Sequence, residues 1–309
     1  MKVLVTGGAG YIGTSLVPLL LREGQQVRVL DNLSFGGDAL LPNFADPHFE
    51  FLLGDVRDEG RMRQAVKSMD VIIHLAAIVG YPACKKDPLL AEQVNQEAVR
   101  LLADITDRQQ FIFFGSTTSI YGSVSGQLCT EETPANPLTV YGKTKWEAEK
   151  VLRERDNTVI YRFSTAFGIS PRLRLDLLIN DFAYRASKQR NLIVYEKNFR
   201  RSFIHVRDIC RSYLFALAHP ERLAGGVFNV GSPDMNLSKE EIALKLKEKI
   251  DFFLHFADFD TDEDQRNYDI SYERIYAAGF RTTVGLDEGL NEMLRAFEVI
   301  RIHSPYGNV

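Results

Sequence analysis

The chain contains few cysteines and no long apolar run. Its 309 residues include three cysteines, too few and too scattered for a disulfide framework or a zinc knuckle. The longest apolar stretch, residues 71–84, is interrupted by a histidine, a glycine and a proline, so it falls short of the roughly 18–20 residues that span a membrane. The first apolar run is too short for a signal peptide. We therefore expect a cytoplasmic protein without a membrane segment.

Neither sign of charge dominates the composition. The 37 basic and 41 acidic residues leave a net charge of −4, which gives no reason to expect a nucleic acid or an acidic membrane surface as partner. The acidic cluster at residues 258–264 lacks the glycine and the terminal glutamate of a calcium loop, so we expect a solvated loop and no metal. The length suffices for two domains, or for one large domain with an elaboration.

Short β-branched runs alternate with amphipathic stretches in the first half of the chain. The runs predict strands, and apolar spacings of three and four predict helices between them. Because strands separated by helices pair in parallel, the pattern predicts an α/β fold with a doubly wound parallel sheet. The predicted strands cover residues 3–5, 27–30, 49–53, 71–75, 111–114 and 159–163, and the predicted helices cover residues 11–22, 59–67, 88–106 and 141–154.

The pattern loosens after about residue 168. Ser238 and Glu241 form a capping box that opens a helix running to about residue 250. This half is predicted as a smaller α/β cap, interleaved with the end of the sheet. One domain would comprise residues 1–164 with about 203–230, and the other about 165–202 with 231–309. Further helices are predicted at residues 173–187, 206–217 and 287–300, and strands at residues 192–195 and 227–230.

A glycine-rich loop, TGGAGYIG, follows the first strand. Gly7 permits a tight turn, Gly10 lets the backbone approach a pyrophosphate, and Gly13 lets the helix pack on the strand. Asp31 ends the second strand, where a carboxylate can accept both hydroxyls of an adenosine ribose and would repel a 2′-phosphate. Asp55 follows the third strand, where it can meet the adenine amino group or act as an ordinary turn residue. The glycine triplet alone is compatible with a simple turn, but together these features favour NAD over NADP.

A tyrosine and a lysine lie one helical turn apart in the sequence YGKTK. The phenol of Tyr141 has an ordinary pKa of about 10, which is too high for a base at neutral pH. A nearby ammonium, that of Lys145, would lower this pKa by favouring the phenolate. Such a pair alone is common on solvated helices. With the glycine loop upstream, it indicates a reactive site beside a dinucleotide.

Several motifs follow one another along nearly the whole chain. They are TGGAGYIG at 6–13, DNL at 31–33, GDV at 54–56, HLAA at 74–77, Asn95, STTSIYG at 116–122, YGKTK at 141–145, RRSFIHVRD at 200–208 and FNVGS at 228–232. In this order they resemble the extended short-chain dehydrogenase/reductase family, the NAD-dependent epimerases and dehydratases of nucleotide sugars. The resemblance implies a Rossmann-like fold with a substrate-binding cap, NAD as cofactor and a nucleotide-diphosphate sugar as substrate. It also implies a homodimer formed through helices 88–106 and 141–154.

The resemblance assigns roles to individual residues. Tyr141 would take the proton from a sugar hydroxyl, Lys145 would lower its pKa and hold the nicotinamide ribose, and Thr117 would bind the reacting oxygen. The residues implied to bind NAD are Gly7, Gly10, Tyr11, Ile12, Gly13, Asp31, Asn32, Asp55, Val56, Leu75, Ala76, Ala77, Asn95, Tyr141 and Lys145. Those implied to bind the sugar nucleotide are Thr117, Thr165, Arg201 and Arg266.

Two departures from the family's patterns narrow the reaction. The 4,6-dehydratases of the family carry an Asp-Glu pair directly after this Ser or Thr, whereas Thr118 and Ser119 stand there in this chain. The reductoepimerases carry a cysteine at the position of Ser119. Oxidation at C4 remains, by a 4-epimerase or by a 4-dehydrogenase that releases the ketone. A dehydratase or reductase of the same family is the alternative enzyme, and an NAD-binding sensor or scaffold is the non-enzymatic alternative.

Residues 78–88 and 163–182 resemble a narrower branch of the family. That branch acts on nucleotide-linked sugars, including GDP-heptoses, for bacterial surface polysaccharides. Within the second segment, Thr165 departs from the asparagine that binds the diphosphate in many sugar epimerases.

Other polar residues are given structural interpretations. His74 and His205 are predicted to be hydrogen-bonded structural histidines. Cys84 belongs to a loop that could face the sugar, but a buried, inert thiol is the favoured interpretation. Arg172 and Arg174 match no motif, so we expect their side chains to be solvated or ion-paired.

Overall fold

The computed structural model describes residues 1–124, 128–257 and 267–300. Its strands are β1 (Lys2–Thr6), β2 (Gln26–Asp31), β3 (Phe49–Leu53), β4 (Val71–His74), β5 (Phe111–Thr117), β6 (Leu128–Cys129), β7 (Thr158–Phe163), β8 (Thr165–Phe167), β9 (Asn191–Tyr195), β10 (Arg200–His205), β11 (Gly226–Val230), β12 (Asn236–Ser238), β13 (Phe253–Ala257) and β14 (Asp269–Ile270). Its α-helices are α1 (Gly13–Arg22), α2 (Glu59–Val66), α3 (Tyr81–Lys86), α4 (Pro88–Glu92), α5 (Ala98–Ile105), α6 (Val140–Leu152), α7 (Leu178–Tyr184), α8 (Val206–Ala218), α9 (Pro220–Leu223), α10 (Lys239–Lys249), α11 (Glu273–Ala278) and α12 (Leu286–Val299). Over the described ranges, no helix combines the length and the apolar character needed to cross a membrane.

Seven strands form the central sheet in the order β3-β2-β1-β4-β5-β7-β11, and all the pairings are parallel. This confirms the predicted doubly wound sheet. Val3, Leu4 and Val5 are all buried, as expected for a strand covered on both faces. The chain runs outward from β1 to β3 and then crosses to β4. The strand order therefore reverses between β1 and β4, and a crevice opens there at the carboxyl ends of the strands.

Helices cover both faces of the sheet. On one face, α1 and α8 contribute side chains such as Leu16 and Ile209 to an apolar cluster. On the other face, α2, α5 and α6 contribute Met62, Leu102 and Leu152 to a second cluster. The helix predicted at residues 88–106 is present as α4, a π-helical turn (Gln93–Glu97) and α5. Packing on the second cluster fixes α6 against the sheet, with its first turn at the crevice.

The remaining strands form smaller sheets beside the central one. Strands β8, β10 and β12 form a three-stranded sheet, while β9 pairs with β13 and β6 with β14. Helices α7, α10 and α12 pack around a third apolar cluster with β9 and β10. The predicted capping box is confirmed at the start of α10, where Ser238 and Glu241 bond to each other's backbone N–H groups. The division into two interleaved domains stays a prediction.

The prediction of a helix at residues 173–187 is wrong about where the helix starts. The helix begins at Leu178 and continues through a π-helical turn, Arg185–Gln189. Residues 173–177 are not helical because side chains hold them in another path: Nδ2 of Asn180 donates to the carbonyl of Arg174 at 2.8 Å. Leu173 is buried outside any helix, so its apolar spacing imitates a helical pattern.

Candidate active site

A cavity of about 750 Å³ opens along the carboxyl ends of the central strands. Its wall comprises the loops after β1, β2, β3, β4, β5 and β7, together with the first turns of α1 and α6. It lies where the strand order reverses, which is where open α/β sheets bind ligands. The predicted site residues in the wall are Gly7, Gly10, Tyr11, Ile12, Gly13, Asp31, Asn32, Asp55, Val56, Leu75, Ala76, Ala77, Thr117, Tyr141, Lys145 and Thr165. The structure thus brings the glycine loop and the Tyr-Lys pair to one cavity.

The glycine loop lies too close to neighbouring backbone for side chains at two positions. Gly7 has φ +71°, and a Cβ atom placed on it would lie 2.6 Å from the backbone nitrogen of Ala76. A Cβ atom on Gly13 would lie 2.5 Å from the Cα of Gly8. This close packing brings the N-terminus of α1 to the cavity, where N–H groups and the helix dipole favour an anion.

Gly7→Ala is expected to destabilise the protein more than Gly24→Ala does. Because the two glycines have nearly the same φ, +71° and +74°, alanine suffers a similar backbone strain at each, on the order of 1 kcal/mol. No atom lies within 4 Å of a Cβ on Gly24, whereas a Cβ on Gly7 meets the backbone of Ala76. Urea unfolding of both variants measures the difference, and equal losses of unfolding free energy would contradict the close approach.

The carboxylate of Asp31 lies beside the glycine loop. Its Oδ2 accepts the N–H of Ala9 at 2.9 Å, and its Oδ1 accepts the N–H of Leu33 at 2.8 Å. Burial raises the pKa of Asp31, while these hydrogen bonds and the charge of Arg172 oppose the rise. Each oxygen keeps a lone pair for another donor, which suits the two hydroxyls of a ribose.

Asp55 lines the cavity near Asp31 and is held by two side chains. Nε of Arg57 donates to Oδ1 at 2.9 Å, and Nδ2 of Asn32 donates to Oδ2 at 3.1 Å. Hydrogen bonding from Arg57 lowers the pKa of Asp55 to about 2. Oδ1 also accepts the backbone N–H of Arg57 at 2.9 Å. Asp55 is therefore both a turn acceptor and an ionised group in the cavity wall.

The first two turns of α6 carry Tyr141 and Lys145 into the cavity wall. Thr139 caps this helix, since its Oγ1 accepts the backbone N–H three residues later at 3.1 Å. The Lys145 side chain is buried, and its Nζ lies 3.9 Å from the ring centroid of Phe114. Burial lowers the pKa of Lys145 to about 7, against the opposing effect of the Glu149 carboxylate. Near neutral pH this lysine can therefore either hold or release its proton.

Lys145→Met is expected to stabilise the cofactor-free protein below neutral pH. The folded pKa of about 7 lies below the ordinary lysine value of about 10.4, so the unfolded chain binds this proton more tightly. The resulting loss of stability in the wild type is complete below about pH 7 and disappears as the pH rises towards 10. We expect a gain of about 1–3 kcal/mol in unfolding free energy at about pH 6, shrinking at higher pH.

Urea unfolding at a series of pH values measures this gain. Lys143→Met, an exposed position on the same helix, is the matched control and should change stability little at any pH. If Lys145→Met is no more stable than the wild type at about pH 6, Lys145 does not have the lowered pKa.

Thr117 ends β5 in the cavity wall, beside Ser119. Its Oγ1 donates to Oγ of Ser119 at 3.0 Å and accepts the backbone N–H of Ser119 at 3.1 Å. The side chain of Thr118 does not line the cavity, and its Oγ1 lies 3.2 Å from the hydroxyl of Tyr268. The two positions of the dehydratase acid-base pair therefore offer hydroxyl groups, one inside the cavity wall and one outside it.

A buried ion pair lies behind this wall. Glu149, one turn after Lys145, is fully buried and accepts from Nη2 of Arg162 at 2.5 Å and from Oγ of Ser116 at 2.9 Å. Nη2 of Arg153 also donates to it, at 2.8 Å. These contacts join β5, α6 and β7 next to the site. The motifs do not indicate this ion pair. The position of Glu149, four residues after Lys145 on the same helix, could have indicated a carboxylate close to the site.

Asn95 and Cys84 lie behind the wall rather than in it. Oδ1 of Asn95 accepts the N–H of Ile78 at 2.8 Å, and its Nδ2 donates to the Ile78 carbonyl at 2.9 Å. Sγ of Cys84 donates to the same carbonyl at 3.2 Å. Both residues thereby fix the loop after β4, which lines the cavity. Burial raises the pKa of Cys84 to about 12, in agreement with the predicted inert thiol.

The predicted substrate ligands are not all brought together. Thr165, at the start of β8, lines the cavity. Arg201 is buried in β10 and does not belong to the cavity wall formed by the described residues. Arg266 lies outside the described residues.

The prediction that Arg172 and Arg174 are solvated or ion-paired is confirmed for Arg174 through an ion pair, whereas solvation is contradicted for both residues. Both are buried, with 4% and 6% of their surface exposed, and both line the cavity. Arg174 does form an ion pair, Nη2 to Oδ2 of Asp176 at 2.5 Å, so the alternative of ion pairing is confirmed for it. The cause is the path of residues 168–177, which turn back over the start of α1 through contacts remote in sequence.

The two histidines are buried, as predicted for structural residues. Nδ1 of His74 lies 2.9 Å from Oγ1 of Thr6, and burial lowers the pKa of His74 to about 3. Nδ1 of His205 accepts the N–H of Arg207 at 3.2 Å, and burial lowers the pKa of His205 to about 4. In the part of the chain that the structure describes, no three His, Cys, Asp or Glu side chains form a group that could hold a metal ion. The acidic cluster at residues 258–264 lies outside that part.

Comparison with known proteins identifies the family. Residues 3–231 match the model of the NAD dependent epimerase/dehydratase family. A low-salt glycan biosynthesis protein of Haloferax volcanii is 31% identical over 305 residues, covering 94% of this chain and 96% of the relative. A dTDP-glucose 4,6-dehydratase of Actinoplanes sp. is 29% identical over 325 residues, covering 97% of this chain and 99% of the relative.

A solved structure extends the similarity to the fold. The UDP-glucose 4-epimerase of Thermus thermophilus, crystallised with NAD, has a TM-score of 0.83 and 26% identity, covering 97% of this chain and 99% of that one. Because the family match covers most of the chain and these similarities extend over nearly its full length, the chain belongs to the NAD dependent epimerase/dehydratase family.

Proposed function

We propose that the protein catalyses NAD-dependent oxidation at C4 of a nucleotide-diphosphate sugar, as a 4-epimerase or a 4-dehydrogenase. The observation that carries this proposal is the meeting of Thr117, Tyr141 and Lys145 in the cavity that the glycine loop also lines. Membership of an NAD-dependent family supports the cofactor.

The cavity wall suits NAD. The N-terminus of α1, approached through Gly7 and Gly10, suits the diphosphate. Asp31 offers carboxylate oxygens to the adenosine ribose, and Asp55 offers an ionised carboxylate to the adenine amino group. We propose that Asn95 contributes indirectly, through the loop it fixes. When bound, NAD supplies a hydride acceptor beside the sugar carbon.

Tyr141 is proposed as the general base. Its phenolate takes the proton of the C4 hydroxyl while the hydrogen on that carbon leaves as hydride. Lys145 in its protonated form stabilises the phenolate. Thr117 is proposed to donate its hydroxyl proton to the reacting oxygen, in exchange for its present hydrogen bond to Ser119.

A 4,6-dehydratase is the alternative within the same family, and one relative carries that name. Elimination of water across C5 and C6 needs a base for the C5 proton and an acid for the leaving hydroxide. Thr118 and Ser119 carry hydroxyl groups of high pKa at the two corresponding positions, so they favour oxidation at C4 without elimination.

Product analysis in deuterated water tests this proposal. The purified protein is incubated with NAD and a panel of nucleotide sugars, and products are followed by NMR and NADH by absorbance. A C4 epimer without net NADH indicates an epimerase, and NADH with a 4-ketosugar indicates a dehydrogenase. Deuterium at C5 with loss of water would show a dehydratase and overturn the proposal. NAD binding without nucleotide-sugar binding would favour a sensor or scaffold.

The substrate and the assembly are further proposals. Thr165, Arg201 and Arg266 are proposed to orient the sugar nucleotide, and the panel includes a GDP-heptose because of the resemblance at residues 78–88 and 163–182. The similarity to a glycan biosynthesis protein supports a role in surface polysaccharide formation. We also propose a homodimer through the helices of residues 88–106 and 141–154, which the molecular mass in solution tests.

A further inference from the structure

Two tyrosines in the segment 267–272 place their hydroxyl groups behind the wall of the cavity. Tyr268 and Tyr272 are both buried, with 3% and 1% of their surface exposed. The segment contains β14 and ends at the N-cap of α11. A buried hydroxyl costs free energy unless it forms a hydrogen bond. The partners of these two hydroxyl groups therefore indicate which parts of the molecule they hold.

The hydroxyl of Tyr268 contacts the turn that follows β5. It lies 3.2 Å from Oγ1 of Thr118, the residue directly after Thr117. The Tyr268 ring also packs edge-on against Tyr121 at the other end of this turn, with 6.4 Å between the ring centroids. Thr117 and Ser119, on either side of Thr118 in the sequence, both line the cavity. The contact with Tyr268 therefore acts on the turn that presents these two hydroxyl groups.

The hydroxyl of Tyr272 belongs to a cluster of three mutually bonded hydroxyl groups. It lies 2.8 Å from Oγ of Ser164 and also contacts Oγ of Ser202, and the two serine oxygens are 2.8 Å apart. Both serines are buried. Ser164 and the next residue, Thr165, line the cavity. Tyr272 thus acts on the link between β7 and β8, directly before the residue proposed to orient the sugar nucleotide.

The backbone between the two tyrosines is itself fixed by other elements. Nδ2 of Asn236 donates to the carbonyl of Ile270 at 3.0 Å, and Oδ1 of Asn236 accepts the N–H of Ile270 at 3.2 Å. The N–H of Ser271 donates to the carbonyl of Cys129 at 2.8 Å. Because the segment is held on both sides, it can act as a support for the groups that its hydroxyls bond. Hydrogen bonds add direction to this support, since they weaken steeply when the donor is misaligned.

We propose that Tyr268 and Tyr272 are positioning residues for the oxidation of the sugar nucleotide. Through the turn after β5, Tyr268 sets the position of the Thr117 hydroxyl. Through the link between β7 and β8, Tyr272 sets the position of Thr165. The inference rests on the proposed function, which assigns Thr117 to the reacting oxygen and Thr165 to substrate orientation.

These assignments give the two tyrosines different kinetic effects. The reacting oxygen changes its charge during the reaction, so an interaction with it is strongest in the transition state and affects turnover. Tyr268 should therefore act mainly on kcat. An interaction that orients the whole sugar nucleotide is made equally in the ground state and in the transition state, so it affects KM. Tyr272 should therefore act mainly on KM.

Steady-state kinetics of two phenylalanine variants test these effects separately. The substrate is the nucleotide sugar of the product panel that the wild type transforms fastest, with NAD saturating. Tyr268→Phe should lower kcat about threefold to tenfold, the scale of one buried hydrogen bond, and change KM less. Tyr272→Phe should raise KM by about the same factor and change kcat less. Tyr276→Phe, on α11 and outside the cavity wall formed by the described residues, is the matched control and should change neither constant.

Thr118→Val removes the hydrogen bond to Tyr268 from its other end. It should reproduce the loss of kcat in Tyr268→Phe, and the variant with both substitutions should be no slower than either single variant, because one contact is lost in all three. If the two losses multiply in the double variant, the two residues act independently and the proposal is overturned. A general loss of stability would affect kcat and KM alike in Tyr268→Phe and Tyr272→Phe, and that result also overturns it.

Amide hydrogen exchange of the NAD-saturated protein tests the positioning without any turnover. Tyr268→Phe should speed exchange in residues 117–122, and Tyr272→Phe should speed it in residues 164–167, each about threefold to tenfold. The proposal is overturned if either region exchanges at the wild-type rate in its variant. A wild type that transforms no nucleotide sugar rejects the proposed function, and the exchange rates then decide by themselves whether the two tyrosines position the cavity wall.

Discussion

Replacing Tyr141 by phenylalanine is expected to lower turnover at least about a hundredfold, the scale of general-base catalysis by one side chain. The substitution removes one oxygen from a half-buried ring in the first turn of α6 and leaves its packing intact. Without the phenolate, the other two residues assigned to the reaction cannot replace the base, because the Thr117 hydroxyl is a weak base and Lys145 is needed as a cation. Initial rates at saturating nucleotide sugar measure the effect.

Two comparisons separate a chemical defect from a structural one. NAD affinity should fall far less than turnover in Tyr141→Phe, since the glycine loop, Asp31 and Asp55 are unchanged. Tyr184→Phe, in α7 and outside the cavity, is the control tyrosine and should keep normal turnover. Turnover of Tyr141→Phe within a few-fold of the wild type would show that another residue is the base.

The features predicted correctly from the sequence are those fixed by a few neighbouring residues. The glycine loop is one, because it follows β1 directly and Gly13 sits where a Cβ would meet the backbone of Gly8 in the same loop. Asp31 and Asp55 are others, because Asp31 ends β2 and Asp55 closely follows β3, and the ends of both strands are visible in the sequence. Parallel strands end at the same edge of a sheet, so locating the strand ends also locates the cavity.

The features that the sequence does not reveal depend on contacts between distant segments. The contact of Gly168 with Tyr11 helps to determine the position of Arg172, and no sequence pattern near residue 172 indicates this contact. Asn95 belongs to a motif, but a motif cannot show that its amide acts on the backbone of Ile78 from behind the wall. The ion pair of Glu149 and Arg162 joins a helix to a strand, so each residue alone has the pattern of an ordinary charged side chain.

Glu149→Ala is expected to be the most destabilising substitution near the site, costing about 3–5 kcal/mol of unfolding free energy. Its partner Arg162 is buried in β7, where removal of the carboxylate leaves a guanidinium without its counter-charge. Ser116 loses an acceptor as well. Urea unfolding measures the loss. Glu147→Ala, two residues earlier on the same helix, breaks a half-exposed pair with Lys150 and should cost less than about 1 kcal/mol.

The double variant Glu149→Met with Arg162→Met separates the two causes of this loss. If the cost of Glu149→Ala comes from an uncompensated buried charge, removing both charges should recover most of the stability, because apolar side chains of similar volume replace buried ion pairs at little net cost. A double variant as unstable as Glu149→Ala would instead attribute the loss to packing.

The double variant should also change the pH dependence of turnover, because Glu149 lies one turn from Lys145 and favours the protonated form of this lysine. In the stable double variant, the pH above which Lys145 loses its proton should therefore move lower, and the alkaline limb of the turnover profile should move with it.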